Sequence, residues 1–248
     1  MLIRHLYKSY FVPIRRNPGL NNTRCLFIAS IGNPEPEYEG TRHNIGHRFI
    51  DQLINIYWKQ HLIKEGDHYF KSKRYPNIVL FKSNDSLMNL QGYAISKHYQ
   101  QFQQEGSKLI ILHDELQIAV GKYQIRKPGT SPRGHNGLKS INKFISNDKY
   151  TKVAIGIGRP PDKKNVIDYV MTKFKDNELE AIDFEVLPKC LIELEKLVEK
   201  DLHEVKIKQQ QKQLQSTSER SNNDILPIEP VINTSPDTTN QSTSSSQS

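Results

Sequence analysis

Four short apolar runs, residues 25–31, 78–81, 109–112 and 153–157, are separated by stretches whose apolar residues recur at helical spacing. The runs are continuous rather than alternating, the pattern of strands buried on both faces. Between them, Ile45, Phe49, Leu53 and Tyr57 mark one helix and Ile95, Tyr99 and Phe102 a second. Leu138, Ile141 and Ile145 mark a third, and residues 178–198 a fourth that kinks at Pro188 unless a new helix starts there. Residues 122–127, with Tyr123 and Ile125 among polar neighbours, suit an edge strand. This order predicts a single α/β domain: a mostly parallel twisted sheet with helices on both faces.

The flanks differ from this middle. The chain has 248 residues and a mean hydropathy of -0.67. Polar ends lower that average, so residues 24–204 are still expected to bury a full core. Residues 205–248 run into Ser, Thr, Asn, Gln and Pro and are read as a disordered tail. Arg4, Lys8, Arg15, Arg16 and Arg24 all precede the first acidic residue, Glu35. Residues 1–23 therefore read as a basic arm of mitochondrial-targeting type, despite the single Ser9 and a helix-interrupting Pro13. The other reading is a disordered arm that touches RNA, with the protein in the cytoplasm. No apolar run approaches the ~20 residues of a membrane-spanning helix, so no membrane anchor is expected. Cys25 and Cys190 are the two cysteines, too few for a disulfide framework or a cysteine-based zinc site. A net charge of +8 allows a polyanionic partner without demanding one.

In an open α/β sheet, ligands bind beyond the carboxyl ends of the strands. After the first run come Asn33, Tyr38 and Thr41-Arg42-His43-Asn44; after the second, Met88 and Asn89; after the third, Asp114 and Glu115. A fourth loop carries Arg133-Gly134-His135-Asn136. Individually each residue has a plainer use: asparagines cap turns and helices, a histidine near a helix start is usually structural, and a methionine fills a core. Jointly they place a histidine, a carboxylate and three carboxamides on one rim, without a Ser or Cys nucleophile or a metal-binding spacing.

These segments resemble the bacterial-type peptidyl-tRNA hydrolase family. The matching stretches are Gly32-Asn33-Pro34 with Tyr38 and Thr41-Arg42-His43-Asn44-Ile45-Gly46, Met88-Asn89-Leu90, His113-Asp114-Glu115-Leu116, Gly134-His135-Asn136-Gly137-Leu138-Lys139 and Gly156-Ile157-Gly158-Arg159-Pro160. The resemblance implies a monomeric, metal-independent and cofactor-free enzyme that hydrolyses the ester joining a peptide to the 3′ end of tRNA. It assigns His43 as the catalytic histidine and Asp114 as the carboxylate that orients it. Asn33, Tyr38, Met88, Asn89 and Asn136 become substrate-positioning residues, with Asn89 chosen as oxyanion donor. The tRNA-contacting side comprises His135 and the basic Arg126, Arg133, Lys139 and Lys143. His43, near a helix start, is expected to favour the neutral imidazole.

The chain departs from the family pattern at Glu35, where Gly is usual after Asn-Pro. Gln117 and Ala154 also differ, the latter from a common basic residue for which Lys152 is the candidate replacement. The loop at residues 127–133 carries Pro128 and Pro132 in place of glycine richness. The main rival is a catalytically silent RNA-binding splicing cofactor on the same fold, disfavoured by retention of His43, Asp114 and the three asparagines. A nucleotide-binding oxidoreductase is poorer still, because Gly156-Ile157-Gly158 lacks a third glycine and runs into Arg159-Pro160-Pro161. A general small-ester hydrolase leaves the basic loop unexplained.

Overall fold

The computed structural model describes residues 24–65, 68–75, 77–162 and 165–223. Strand β1 (Leu26–Ile31) leads through a 3-10 turn (Arg42–Asn44) into α1 (Ile45–Gln52). Next come β2 (Leu62–Glu65), β3 (Tyr69–Ser72), β4 (Ile78–Ser83), a 3-10 turn (Met88–Leu90) and α2 (Gly92–Phe102). They are followed by β5 (Lys108–Glu115), β6 (Tyr123–Arg126), α3 (Asn136–Asn142) and β7 (Tyr150–Gly156). Helices α4 (Val166–Met171), α5 (Asp176–Ala181) and α6 (Leu187–Asn223) complete the order.

The strands form one sheet in the order β2-β3-β4-β1-β5-β7-β6. The central β4, β1, β5 and β7 are parallel, and these are the four apolar runs. β2 and β3 join antiparallel at one edge, and β6 is antiparallel to β7 at the other. The expected α/β domain is thus observed, its parallel part being the buried centre of one mixed sheet. β2 and β3 escaped sequence reading because they are short, half-exposed edge strands with polar residues.

Alternation along β1 divides the core. Leu26 and Ile28 face one layer, with Phe49, Ile50 and Leu53 and, from α6, Leu187, Leu194 and Val198. Cys25, Phe27, Ala29 and Ile31 face the other, with Ile95, Tyr99 and Phe102 of α2 and Leu138 and Ile141 of α3. Each layer buries the apolar stripe of amphipathic helices against a sheet face.

Pro188 neither breaks nor restarts the helix: the helical run from Asp176 continues unbroken through it. A π turn over Ile182–Val186 sits directly ahead of the proline, the local widening by which a helix accommodates a residue without an N–H. The chain divides into two units, residues 1–205 and 206–248. In the second, α6 continues to Asn223, where sequence reading expected fraying from Lys206. Gln, Lys and Glu are good helix formers, and extending a helix that is already nucleated avoids the cost of a new start. The basic arm at residues 1–23 and the tail at 224–248 lie outside the described residues. Among the described residues, no helix is long and apolar enough to cross a membrane.

Candidate active site

The site is assembled where β1 and β5 end. Asp114 is still within the β5 ladder, opposite Ile155 of β7, and is 1% exposed. The 3-10 turn carrying His43 is pressed onto these strand ends because the second residue of α1 is Gly46. A Cβ on Gly46 would stand 2.5 Å from the Leu112 carbonyl oxygen and 2.8 Å from that of Ile31. The missing side chain is what lets the turn approach the carboxylate.

His43 Nδ1 lies 2.9 Å from Asp114 Oδ1. An ionised carboxylate only accepts, so Nδ1 carries the proton and Nε2 keeps a free lone pair. The His43 side chain is 17% exposed, enough for one face to meet solvent. Burial alone would lower the pKa of His43. The charge of Asp114 and its hydrogen bond outweigh that effect, and the net shift is upward. This corrects the expectation that a helix start favours the neutral ring: the turn is only three residues long, while the anion is in direct contact. Burial opposes ionisation of Asp114 as well, yet the two imidazoles around it hold its carboxyl well below the usual carboxylate range.

The second imidazole is His135, which sequence reading placed on the tRNA side. Its Nδ1 accepts the Leu138 N–H at 3.3 Å as the cap of α3, so Nε2 carries the proton and donates to Asp114 Oδ1 at 2.7 Å. With its side chain 8% exposed, it faces the carboxylate rather than solvent. A third ring, His113, donates from Nδ1 to the Asp114 carbonyl at 2.5 Å and stands edge-on to His135 at 5.2 Å. Burial keeps His113 neutral, with a pKa lowered to about 3. His43, Asp114 and His135 also form the one His/Cys/Asp/Glu group among the described residues that converges as a cation site would. Both imidazole nitrogens turn protons toward the carboxylate at hydrogen-bond distance, so a cation would have to displace both.

Asn33 is buried and tied to the residue after His43, its N–H donating to Asn44 Oδ1 at 2.7 Å. Its Oδ1 accepts the Met88 N–H at 3.0 Å, which leaves Nδ2 as the outward donor, 3.5 Å from Met171 Sδ. Met88 is packed so close to α3 that a Cβ on Gly137 would meet its Cγ at 2.7 Å. Asn89 and Asn136, on the adjoining turn and at the start of α3, are exposed. Tyr38 is half-buried and serves the preceding turn, its carbonyl accepting the Thr41 N–H and hydroxyl. No contact joins Tyr38 to His43 or Asp114. Residues that sequence reading missed include Met171 and Gln91. Gln91 is wholly buried, and its Nε2 bonds the carbonyls of Gly32 at 2.6 Å and Ser83 at 2.6 Å, tying the β1 and β4 ends together. Such long-range contacts leave no local periodicity to read.

The basic residues separate into two groups. Arg133, Lys139 and Lys143 are exposed. Arg126 is buried, donating to Glu115 Oε2 at 3.1 Å and to the Ser131 carbonyl at 2.5 Å. Lys152, its register partner on β7, is fully buried and donates to the Thr130 carbonyl at 3.0 Å. Burial first, then the charge of Arg126, lowers its pKa to about 8. Both expectations of phosphate contact are therefore corrected. These cations hold the loop ahead of His135 from beneath and cannot reach an external anion. Within that loop Arg133 has a φ of 49°, the one positive value at a non-glycine among the described residues. Glu35 makes its turn without a positive φ, through a cis peptide bond to Pro36.

Arg126→Met removes the near partner of the buried Glu115, leaving it the more exposed Arg133 at 3.7 Å and the Gln117 N–H, and is expected to cost about 3 kcal/mol, lowering Tm by roughly 10 °C in calorimetry. Arg133→Gln, at an exposed side chain, leaves Tm nearly unchanged. An Arg126→Met protein with wild-type Tm but weakened tRNA affinity would restore the phosphate-contact reading.

The peptidyl-tRNA hydrolase family matches residues 27–218. A peptidyl-tRNA hydrolase of Campylobacter concisus is 36% identical over 178 residues, 72% of this chain and 92% of the relative. One from Wolbachia pipientis wMel is 36% identical over 152 residues, 60% of this chain and 81% of the relative. The crystal structure of peptidyl-tRNA hydrolase from Acinetobacter baumannii superposes with a TM-score of 0.59 at 27% identity, covering 75% of this chain and 95% of that one. The family match takes in the whole sheet together with His43, Asp114 and the loop that brings His135 to them, and the chain belongs to the peptidyl-tRNA hydrolase family.

Proposed function

We propose that this protein hydrolyses the ester between a peptide, or an N-blocked amino acid, and the 3′ end of tRNA. The observation that carries the reading is the His43–Asp114 hydrogen bond, which leaves Nε2 of a partly exposed imidazole free for water. An ester is reactive enough for water activated by imidazole to attack its carbonyl directly. His43 takes the proton from water, and Asp114 holds the tautomer and stabilises the imidazolium that forms. Carboxamides donate to the developing oxyanion without carrying charge, and one such donor is worth about 3 kcal/mol. Asn89 is assigned that role, with Asn33 and Asn136 positioning substrate and water. An intact base and acid in contact argue against a silent RNA-binding role.

The deciding experiment is release of free tRNA from N-acetyl-aminoacyl-tRNA by the purified chain. Multiple turnover supports the reading; tRNA binding without release would overturn it. Contact with tRNA is mainly to phosphates, because one enzyme must accept many tRNA sequences. Lys139 and Lys143, exposed on and just beyond α3, supply part of it. Affinity for tRNA is expected to fall steeply with salt. In a filter-binding titration, Lys139→Ala and Lys143→Ala should each reduce the log–log slope by about one.

The protein is further read as a monomeric, mitochondrial member of eukaryotic type. The acid-free basic arm supports that location, and imaging a fusion of residues 1–23 tests it.

A further inference from the structure

One surface beside the site combines features that the hydrolytic chemistry does not use. Tyr93, near the start of α2, and Phe144, just past the end of α3, meet edge to face with centroids 5.8 Å apart and planes at 63°. They meet because α2 and α3 touch: Gly92 N–H donates to Ser140 Oγ at 3.0 Å, and a Cβ on Gly92 would lie 2.1 Å from the Ser140 carbonyl oxygen. Yet the rings are not buried by this contact. Tyr93 is 44% and Phe144 42% exposed, with Leu90 exposed nearby in sequence.

The two segments that carry the pair have charge of one sign. Lys97, Lys139 and Lys143 are exposed, and residues 86–104 and 136–147 contain no acidic residue. The same two segments carry Asn89 and Asn136 at their active-site ends. Eight residues separate Asn136 from Phe144, a helical rise of roughly 12 Å. Exposed aromatic rings set among lysines, with acids excluded, are the composition of a single-strand binding surface, where bases stack and phosphates pair with cations. An apolar peptide side chain would gain nothing from the excluded acids or the lysines.

Given the hydrolase reading, we infer that Tyr93 and Phe144 form a stacking platform for an unpaired base of the substrate's 3′ end, upstream of the esterified nucleotide. Lys139 and Lys143 flank it and meet the backbone phosphates. Stacking reads no sequence, so the platform serves every tRNA alike.

Two substrates test the inference: N-acetyl-aminoacyl-tRNA, and N-acetyl-aminoacyl-adenosine, which keeps the ester and lacks the upstream bases. Tyr93→Ala and Phe144→Ala should each raise KM for the tRNA substrate roughly tenfold with kcat held. Both should hydrolyse the adenosine ester as the wild type does, and Tyr93→Phe should restore KM on tRNA. Unchanged KM on tRNA overturns the platform. So does an equal loss on the adenosine ester, which would assign the rings to the peptide. Binding of deacylated tRNA, intact or trimmed of its unpaired 3′ nucleotides, separates this idea from the hydrolase reading. Trimming should weaken binding to the wild type but not to the double variant, whether or not either protein turns over ester; equal sensitivity to trimming in both refutes the platform.

Discussion

His43→Ala lowers kcat on N-acetyl-aminoacyl-tRNA by about a thousandfold, within the range that a positioned general base contributes. KM and tRNA affinity stay near wild type, because the side chain is mostly enclosed and makes its one described polar contact with Asp114. The wild-type pH profile carries the same signature. Water is activated only by the neutral ring, and contact with the carboxylate raises the His43 pKa above the ordinary 6.5. Activity is therefore absent at low pH, climbs through a midpoint above that value and then levels off. The alanine variant loses this limb together with the rate. A residual rate that still titrates with the wild-type midpoint would mean that another group is the base.

Asp114→Asn is expected to be as damaging, roughly a thousandfold or more in kcat, for a different reason. Asp114 Oδ1 accepts from both His43 Nδ1 and His135 Nε2. A carboxamide oxygen in that place can still accept from both rings, but it carries no charge, so the imidazolium that forms on His43 loses its counter-ion. Removing the anion also removes what raises the His43 pKa, while burial, which lowers it, remains. The acidic limb of the residual activity should therefore move to lower pH. A rate profile that keeps the wild-type midpoint would show that Asp114 does not govern the ionisation of His43.

The central sheet was legible because its strands are buried on both faces, so residues 25–31, 78–81, 109–112 and 153–157 read as unbroken apolar runs. β2 and β3 were not, since Leu62–Glu65 and Tyr69–Ser72 are only partly buried and mix Lys and Glu with aromatic and aliphatic residues. In the site, Asp114 could be placed from its position at a strand end. The destination of His135 could not: its neighbours in sequence are a basic loop, whereas its ring is turned inward by capping α3. Arg126 and Lys152 misled for the same reason. Composition marks them as cations but does not say that a strand pairing carries both beneath a loop whose carbonyls they bond.

That Asp114 lies inside a strand ladder while Asn89 and Asn136 stand on exposed surface has a consequence for the chain's chemical tolerance. Sites built on regular elements hold their geometry closely, whereas groups on exposed turns adjust at little expense. In the proposed reaction, rigidity then serves the proton's path, while the carboxamides assigned to the substrate keep room to adjust.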